Sequence, residues 1–391
     1  MRSTLVNGGP GREPCPDERR GGGKTPQARI SQGRELILEM PAAEARYLRA
    51  ALGAARAARA FLAWMEVAAE RLAPDRVEPL AAETGRLHAE DLRAARAAID
   101  AAPAPAEIAP FAARLGEGFA HVERAFALFT SAPEAFPEQR IVHVLGSLHE
   151  VARAQEAFYF LRRPLEPFRD FWQLPGTEDV DGPPAVIYVS AGGHHGGFAL
   201  YVPESYAADR AWPLIVALHG GSGNGRDFLW TWLREAKSLG YLLLAPTAAG
   251  DTWGETDDQG LLEILTWLDA RYRFDRERIL LTGLSDGATF SLLYGLAHPG
   301  VYRALAPLCG VLHPANEPLG NLARARGVPI YLVHGSEDFL FPVALARYAR
   351  ECLLAAGAAL EYREIAGLSH TYPRSENVRI LDWFAALPAR A

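Results

Sequence analysis

The chain has 391 residues, of which 49% are hydrophobic and 22% charged, so it is long enough for two or three domains with a core of useful size. Its formal net charge of -7 argues against a nucleic-acid partner, which calls for a basic face. The three cysteines (Cys15, Cys309 and Cys352) are odd in number and widely spaced, which excludes a disulfide framework and a C-x-x-C zinc site, and the absence of any run of 18 apolar residues excludes a membrane span.

Residues 1–33 are rich in Gly, Pro and Arg and read as a disordered tail without a stretch of signal-peptide length, which makes the cytoplasm the default compartment. Residues 34–165 turn to Ala, Leu, Glu and Arg at helical spacing. In "IAPFAARLGEGFAHVERAFALF" the positions Ile108, Phe111, Leu115, Phe119, Val122, Phe126 and Phe129 step by three or four and form one stripe. Leu48, Leu52, Ala55, Ala58 and Leu62 do the same. Pro74, Pro103, Pro105, Pro133 and Pro137 mark boundaries, because proline sits badly inside a helix. Four helices at about 42–72, 79–101, 105–131 and 137–162 with short connections predict an all-α, up-and-down bundle. Its histidines, His88, His121, His143 and His149, read as solvated or core-edge residues. His149 and Glu150 are adjacent and point apart, so they do not make a metal pair.

Residues 166–182, beginning "EPFRDFWQLPG", read as a linker with aromatic anchors. From 183 to 391 short β-branched or aromatic runs alternate with amphipathic helices. The strands are "AVIYVSA", "GFALYVP", "PLIVALH", "YLLLAPT", "RILLTG", "ALAPLCG", "PIYLVHG" and "LEYREI". Helices are expected at about 226–238, 258–272, 286–298, 343–356 and 375–387. This alternation predicts a mostly parallel eight-stranded sheet with helices on both faces, the first two strands forming an antiparallel hairpin at its edge.

In such sheets ligands bind beyond the carboxyl ends of the strands, so the residues there are the ones to test. "GLSDG" follows the strand "RILLTG" and opens a helix, the strand–turn–helix setting of a nucleophile elbow at Ser285. A serine hydroxyl needs a base, and His370 is the single histidine after the last strand. In "PIYLVHGSEDFLFP" either Glu337 or Asp338 could orient His370. Asp338 is favoured because Phe339 and Pro342 shield it, whereas Glu337 can be solvated. "LHGGSGNG" supplies backbone N–H groups at Gly220 and Gly221, which with the N–H of Asp286 would make a two-donor oxyanion site. No G-K-[ST] follows, so a Walker loop is excluded.

These motifs resemble those of α/β-hydrolase esterases, in particular the phospholipase/carboxylesterase group with its acyl-protein thioesterase-like enzymes. "GGFALYVPESYAADRAWPLIVALHGG" is also similar to feruloyl-esterase and polyhydroxybutyrate-depolymerase-like relatives. The resemblance spans about 180–391 and leaves out the helical region. It implies the α/β-hydrolase fold, nucleophile Ser285, acid Asp338, base His370, and oxyanion donors on Gly221 and Asp286. Phe341 stands where the group usually carries valine, a change of packing.

The expected reaction is hydrolysis of a small-molecule carboxylic ester or thioester with a small to medium acyl group, needing no metal or organic cofactor. A serine peptidase of the same fold, or a scaffold whose bundle binds a partner, are the alternatives. Fewer than twenty residues separate "ALAPLCG" from "PIYLVHG", too few for a lid domain. Trp253, Phe339 and Leu340 are candidate substrate-binding residues; Trp253 reads equally well as a loop anchor. His219 is read as a brace for the glycine turn, and His194 and His195 as turn residues. The bundle is expected to pack on the hydrolase region or to mediate self-association.

Overall fold

The computed structural model describes residues 42–131, 136–180, 182, 185–190 and 195–389. The expected tail, the start of the helical region and His194 lie outside the described residues. The helical region contains α1 (Ala42–Arg71), α2 (Val77–Asp100), α3 (Ala109–Thr130) and α4 (Pro137–Tyr159). The expected stripes are the buried faces: Ala55, Ala58 and Leu62 on α1, and Phe111, Leu115, Phe119, Val122 and Phe129 on α3.

The second region runs β1 (Ala185–Val189), β2 (Phe198–Val202), β3 (Trp212–Leu218), α5 (Gly225–Leu239), β4 (Leu242–Pro246), α6 (Glu255–Asp269), β5 (Phe274–Leu284), α7 (Asp286–Ala297), β6 (Ala304–Leu308), the short α8 (Asn321–Arg324), β7 (Pro329–Gly335), α9 (Val343–Ala355), β8 (Ala359–Ile365) and α10 (Asn377–Ala386). The eight strands lie in the order β1-β2-β4-β3-β5-β6-β7-β8. Pairs β1–β2 and β2–β4 are antiparallel; the rest are parallel. The inner strands β4, β6 and β7 are buried along their whole length, as strands covered on both faces must be, whereas edge strand β8 has no fully buried position. Helix α5 starts where the Asn224 side chain accepts the Asp227 N–H at 2.9 Å.

Alternate residues of the strands feed two cores. One face (Leu200, Leu214, Val216, Leu244, Leu281) packs under α6, α7 and α9. The other (Tyr201, Ile215, Ala217, Leu243, Leu280, Val333) packs under α5 and α10, and this core continues without a break into the helical region. The segment read as a linker is part of that continuity. Phe168, Phe171 and Trp172 are buried; Trp172 meets Tyr159 edge-on with ring centroids 5.3 Å apart, and Tyr159 meets Trp230 of α5 at 5.5 Å. Tyr159, Phe168, Trp172, Trp230 and Trp232 together withdraw on the order of 1,000 Å² from water. Beneath them the buried Glu204 carboxylate accepts from the Tyr159 and Tyr201 hydroxyls and pairs with Arg162. The helices pack against the sheet region, and the two share one core.

Two of the helical histidines find carboxylate partners. His149 Nδ1 lies 2.6 Å from Asp227 of α5, and His121 Nδ1 lies 2.6 Å from Glu150. His149 and Glu150 thus serve different partners. Among the described residues no cluster of His, Cys, Asp and Glu is arranged to hold a metal, and no helix is long and apolar enough to cross a membrane.

Candidate active site

Gly221, Ser285, Asp338 and His370 arrive at one edge of the sheet, each on the loop after a different strand. Ser285 follows β5 with φ +56° and ψ -115°, a conformation that costs a non-glycine residue roughly 1–3 kcal/mol and persists only where its surroundings enforce it. Two backbone bonds do so. The Ser285 N–H donates to Leu308 O of β6 at 2.9 Å, and the Ser285 carbonyl accepts the Thr289 N–H at 2.9 Å as α7 begins. The flanking glycines are required by contact. A Cβ on Gly283 would lie 2.5 Å from the Gly287 carbonyl group, and a Cβ on Gly287 2.4 Å from His219 O.

His370, on the loop after β8, lies between Ser285 and Asp338. Its Nε2 is 2.8 Å from Ser285 Oγ, and its Nδ1 is 2.8 Å from Asp338 Oδ2. A carboxylate on one side fixes the proton on Nδ1 and leaves Nε2 as acceptor for the serine hydroxyl. The Asp338 side chain has no exposed surface, while that of His370 keeps 11%. Asp338 Oδ1 accepts two backbone N–H groups, from Leu340 at 3.0 Å and Phe341 at 2.7 Å. Of the two acids left open in the sequence, Asp338 meets the histidine. Glu337 points away and is half exposed, as a solvated residue would be, and it also forms an ion pair with Arg76 in the α1–α2 turn.

The glycine turn after β3 sits against the serine. A Cβ on Gly220 would be 3.5 Å from Ser285 Cβ, and one on Gly221 4.0 Å from Asp286 Cβ. Among the described residues no hydrogen bond engages the N–H of Gly221, nor that of Asp286 in the first turn of α7. His219 braces this turn as expected: its Nδ1–H donates to Gly220 O at 2.6 Å and its Nε2 accepts the Ala248 N–H at 3.0 Å. Burial lowers its pKa, which keeps the ring in that neutral form.

Trp253 is buried, donates its indole N–H to His219 O at 2.8 Å and stacks on Phe290 with centroids 5.7 Å apart. These contacts anchor the loop that carries it. Its backbone N–H is held by the Asp286 carboxylate at 2.7 Å, a task for that side chain not foreseen in the sequence. Burial raises the pKa of this carboxyl. Phe339 and Leu340 are both exposed, and the Phe339 ring centroid lies 6.1 Å from that of His370. Phe341, read as packing, meets His370 edge-on at 5.2 Å and also supplies one N–H to Asp338.

His334 was missed. Its Nε2–H donates to Phe341 O at 2.8 Å, so it fixes the backbone that holds Asp338. The signal was a histidine at the end of a fully buried strand. Cys309, between β6 and the site, offers no competing nucleophile: burial first, then the Asp338 charge, push its thiol up to about 12.

The sheet order and the elbow after β5 define the second region as an α/β-hydrolase domain. Residues 261–386 match the phospholipase/carboxylesterase family model. The chain is 28% identical over 146 residues to a bifunctional acetylxylan esterase/xylanase of Neocallimastix patriciarum, covering 36% of this chain and 21% of that protein. It is 26% identical over 127 residues to feruloyl esterase B of Talaromyces stipitatus, covering 29% and 35%. The matches thus span a third or less of the length of these relatives, or just over it. Among solved structures, an S-formylglutathione hydrolase of Staphylococcus aureus is 16% identical, with a TM-score of 0.45, covering 53% of this chain and 99% of that one.

Proposed function

We propose that the protein is a serine hydrolase that cleaves carboxylic esters or thioesters through an acyl-enzyme on Ser285. The observation that carries this reading is the line from Asp338 Oδ2 to His370 Nδ1 and from His370 Nε2 to Ser285 Oγ, both hydrogen bonds 2.8 Å long, ending on a serine held at positive φ. His370 Nε2 takes the hydroxyl proton as Oγ attacks the ester carbonyl. Asp338 stabilises the imidazolium and stays ionised. The N–H groups of Gly221 and Asp286 receive the oxyanion; each such donor typically contributes ~10²–10³ in rate. As the carbon–oxygen bond to the alcohol breaks, Nε2–H protonates the leaving oxygen. Water then repeats the sequence, so one water is consumed for each acid and alcohol released.

The exposed Phe339 beside His370, with the exposed Leu340 next to it in sequence, supports small to medium acyl groups or aromatic esters as substrates. The esterase names of the relatives support the same class. A fluorophosphonate probe tests the nucleophile: wild type is expected to be labelled, and equal labelling of Ser285→Ala would remove Ser285 from this role. p-Nitrophenyl esters of increasing acyl length, methyl ferulate and aminoacyl amides then define the substrate. Turnover of the amides alone would replace the esterase by a peptidase.

A further inference from the structure

The hydrolytic chemistry depends on His370 making two bonds in opposite directions, and the loop that carries it is fastened to the helical region on both sides. Before the histidine, Arg76 Nη1 donates to Gly367 O at 2.9 Å while Nη2 pairs with Glu337. After it, Thr371 Oγ donates to Glu70 O at 3.3 Å. The Glu70 carboxylate accepts the Ser375 N–H at 2.7 Å and its hydroxyl at 3.1 Å. Arg374 lies 3.2 Å from Glu66. His370 is therefore bracketed at 367, 371 and 374–375 by the end of α1 and the turn that follows.

We propose that Arg76 and Glu70 are positioning residues for catalysis, so that the helical region is a working part of the active site rather than an appended module. This rests on the hydrolase reading above. Inside the site, Gly367 N–H donates to Ser336 Oγ at 2.9 Å and Glu337 N–H to Leu368 O at 3.0 Å, which joins the acid loop to the base loop. Arg76 repeats that joint from outside, one nitrogen on each loop. Its guanidinium also engages Glu337, the second carboxylate beside Asp338, and turns it outward. A planar guanidinium sets two nitrogens in a fixed fork, one for each acceptor; an ammonium has a single nitrogen from which to reach both. Arg76 and Glu337 keep 35% and 52% of their side-chain surface, and so exposed a pair adds little to folding. What it adds is alignment. A misplacement of about 1 Å in a catalytic group can cost ~10²-fold in rate.

The test uses the full chain with Arg76→Ala, Arg76→Lys and Glu70→Ala, and Arg226→Ala as control. Arg226 joins the helical region to α5 through Glu156, at 2.9 and 2.6 Å, away from the histidine loop. Rates of fluorophosphonate labelling, kcat and KM for p-nitrophenyl acetate, and thermal midpoints are measured. Arg76→Ala and Glu70→Ala are expected to lower labelling and kcat about tenfold with KM nearly unchanged, Arg76→Lys to recover part of the loss, and Arg226→Ala to match wild type. The proposal is overturned if Arg76→Ala labels as fast as wild type, or if Arg226→Ala loses as much, since that would be general loosening. Should Arg76→Ala not fold, full activity in Arg76→Lys overturns it. A wild type that is not labelled at all sinks the hydrolase reading itself, a distinct outcome.

Discussion

Asp338→Asn isolates one proton. The carboxylate uses Oδ1 for the Leu340 and Phe341 N–H groups and Oδ2 for His370. An asparagine of the same shape must keep its oxygen on the two backbone donors, because turning it over would set its NH₂ against both of them. The NH₂ then faces His370 Nδ1, which has to become an acceptor, and the ring proton moves to Nε2. There it points at Ser285 Oγ, and the serine has no base. The expected loss in kcat is about 10³–10⁴, equivalent to roughly 4–5.5 kcal/mol of transition-state stabilisation. KM should change little, and the thermal midpoint should hold because both backbone bonds remain. Steady-state p-nitrophenyl acetate hydrolysis alongside thermal melts makes the measurement. An Asn variant within tenfold of wild type would refute the tautomer argument.

Two further outcomes follow from the surrounding structure. Gly287→Ala drives a Cβ to 2.4 Å from His219 O and 2.5 Å from Leu218 O, backbone atoms that cannot step aside, so denaturant unfolding should show a loss of roughly 1–3 kcal/mol together with lower activity; unchanged stability would mean the elbow is looser than drawn. His219 has a folded pKa below its ordinary value near 6.5, so the unfolded chain takes up the proton first and the stabilisation present at neutral pH is lost as pH falls below that ordinary value. Melts from pH 7.5 to 5 should therefore fall more steeply for wild type than for His219→Asn, and parallel curves would contradict the assignment.

The sheet was legible because its inner strands are buried on both faces and so are written as unbroken apolar runs, "YLLLAPT" and "PIYLVHG" among them. Ser285 was legible through its place between a strand and a helix, and His370 because no other histidine follows the last strand. Contacts made across long stretches of chain were not. Arg76 and Glu337 are 261 residues apart, and neither residue carries a mark of the other. A helical stripe states that a face is buried but not against what. Hence α1 to α4 read as a separate bundle, although their core runs on into α5. Phe341 acts through its backbone N–H, which every residue but proline offers, so side-chain identity gave no notice of it.

That shared core has a consequence for synthesis. Tyr159 is made about seventy residues before Trp230, the ring it meets at 5.5 Å. At about 5–20 residues per second, roughly 4–14 s pass in which the finished helices present Tyr159, Phe168 and Trp172 to solvent or to a chaperone with their final cover not yet built. The yield of soluble protein should therefore depend on how quickly the ribosome crosses the stretch from 160 to 240.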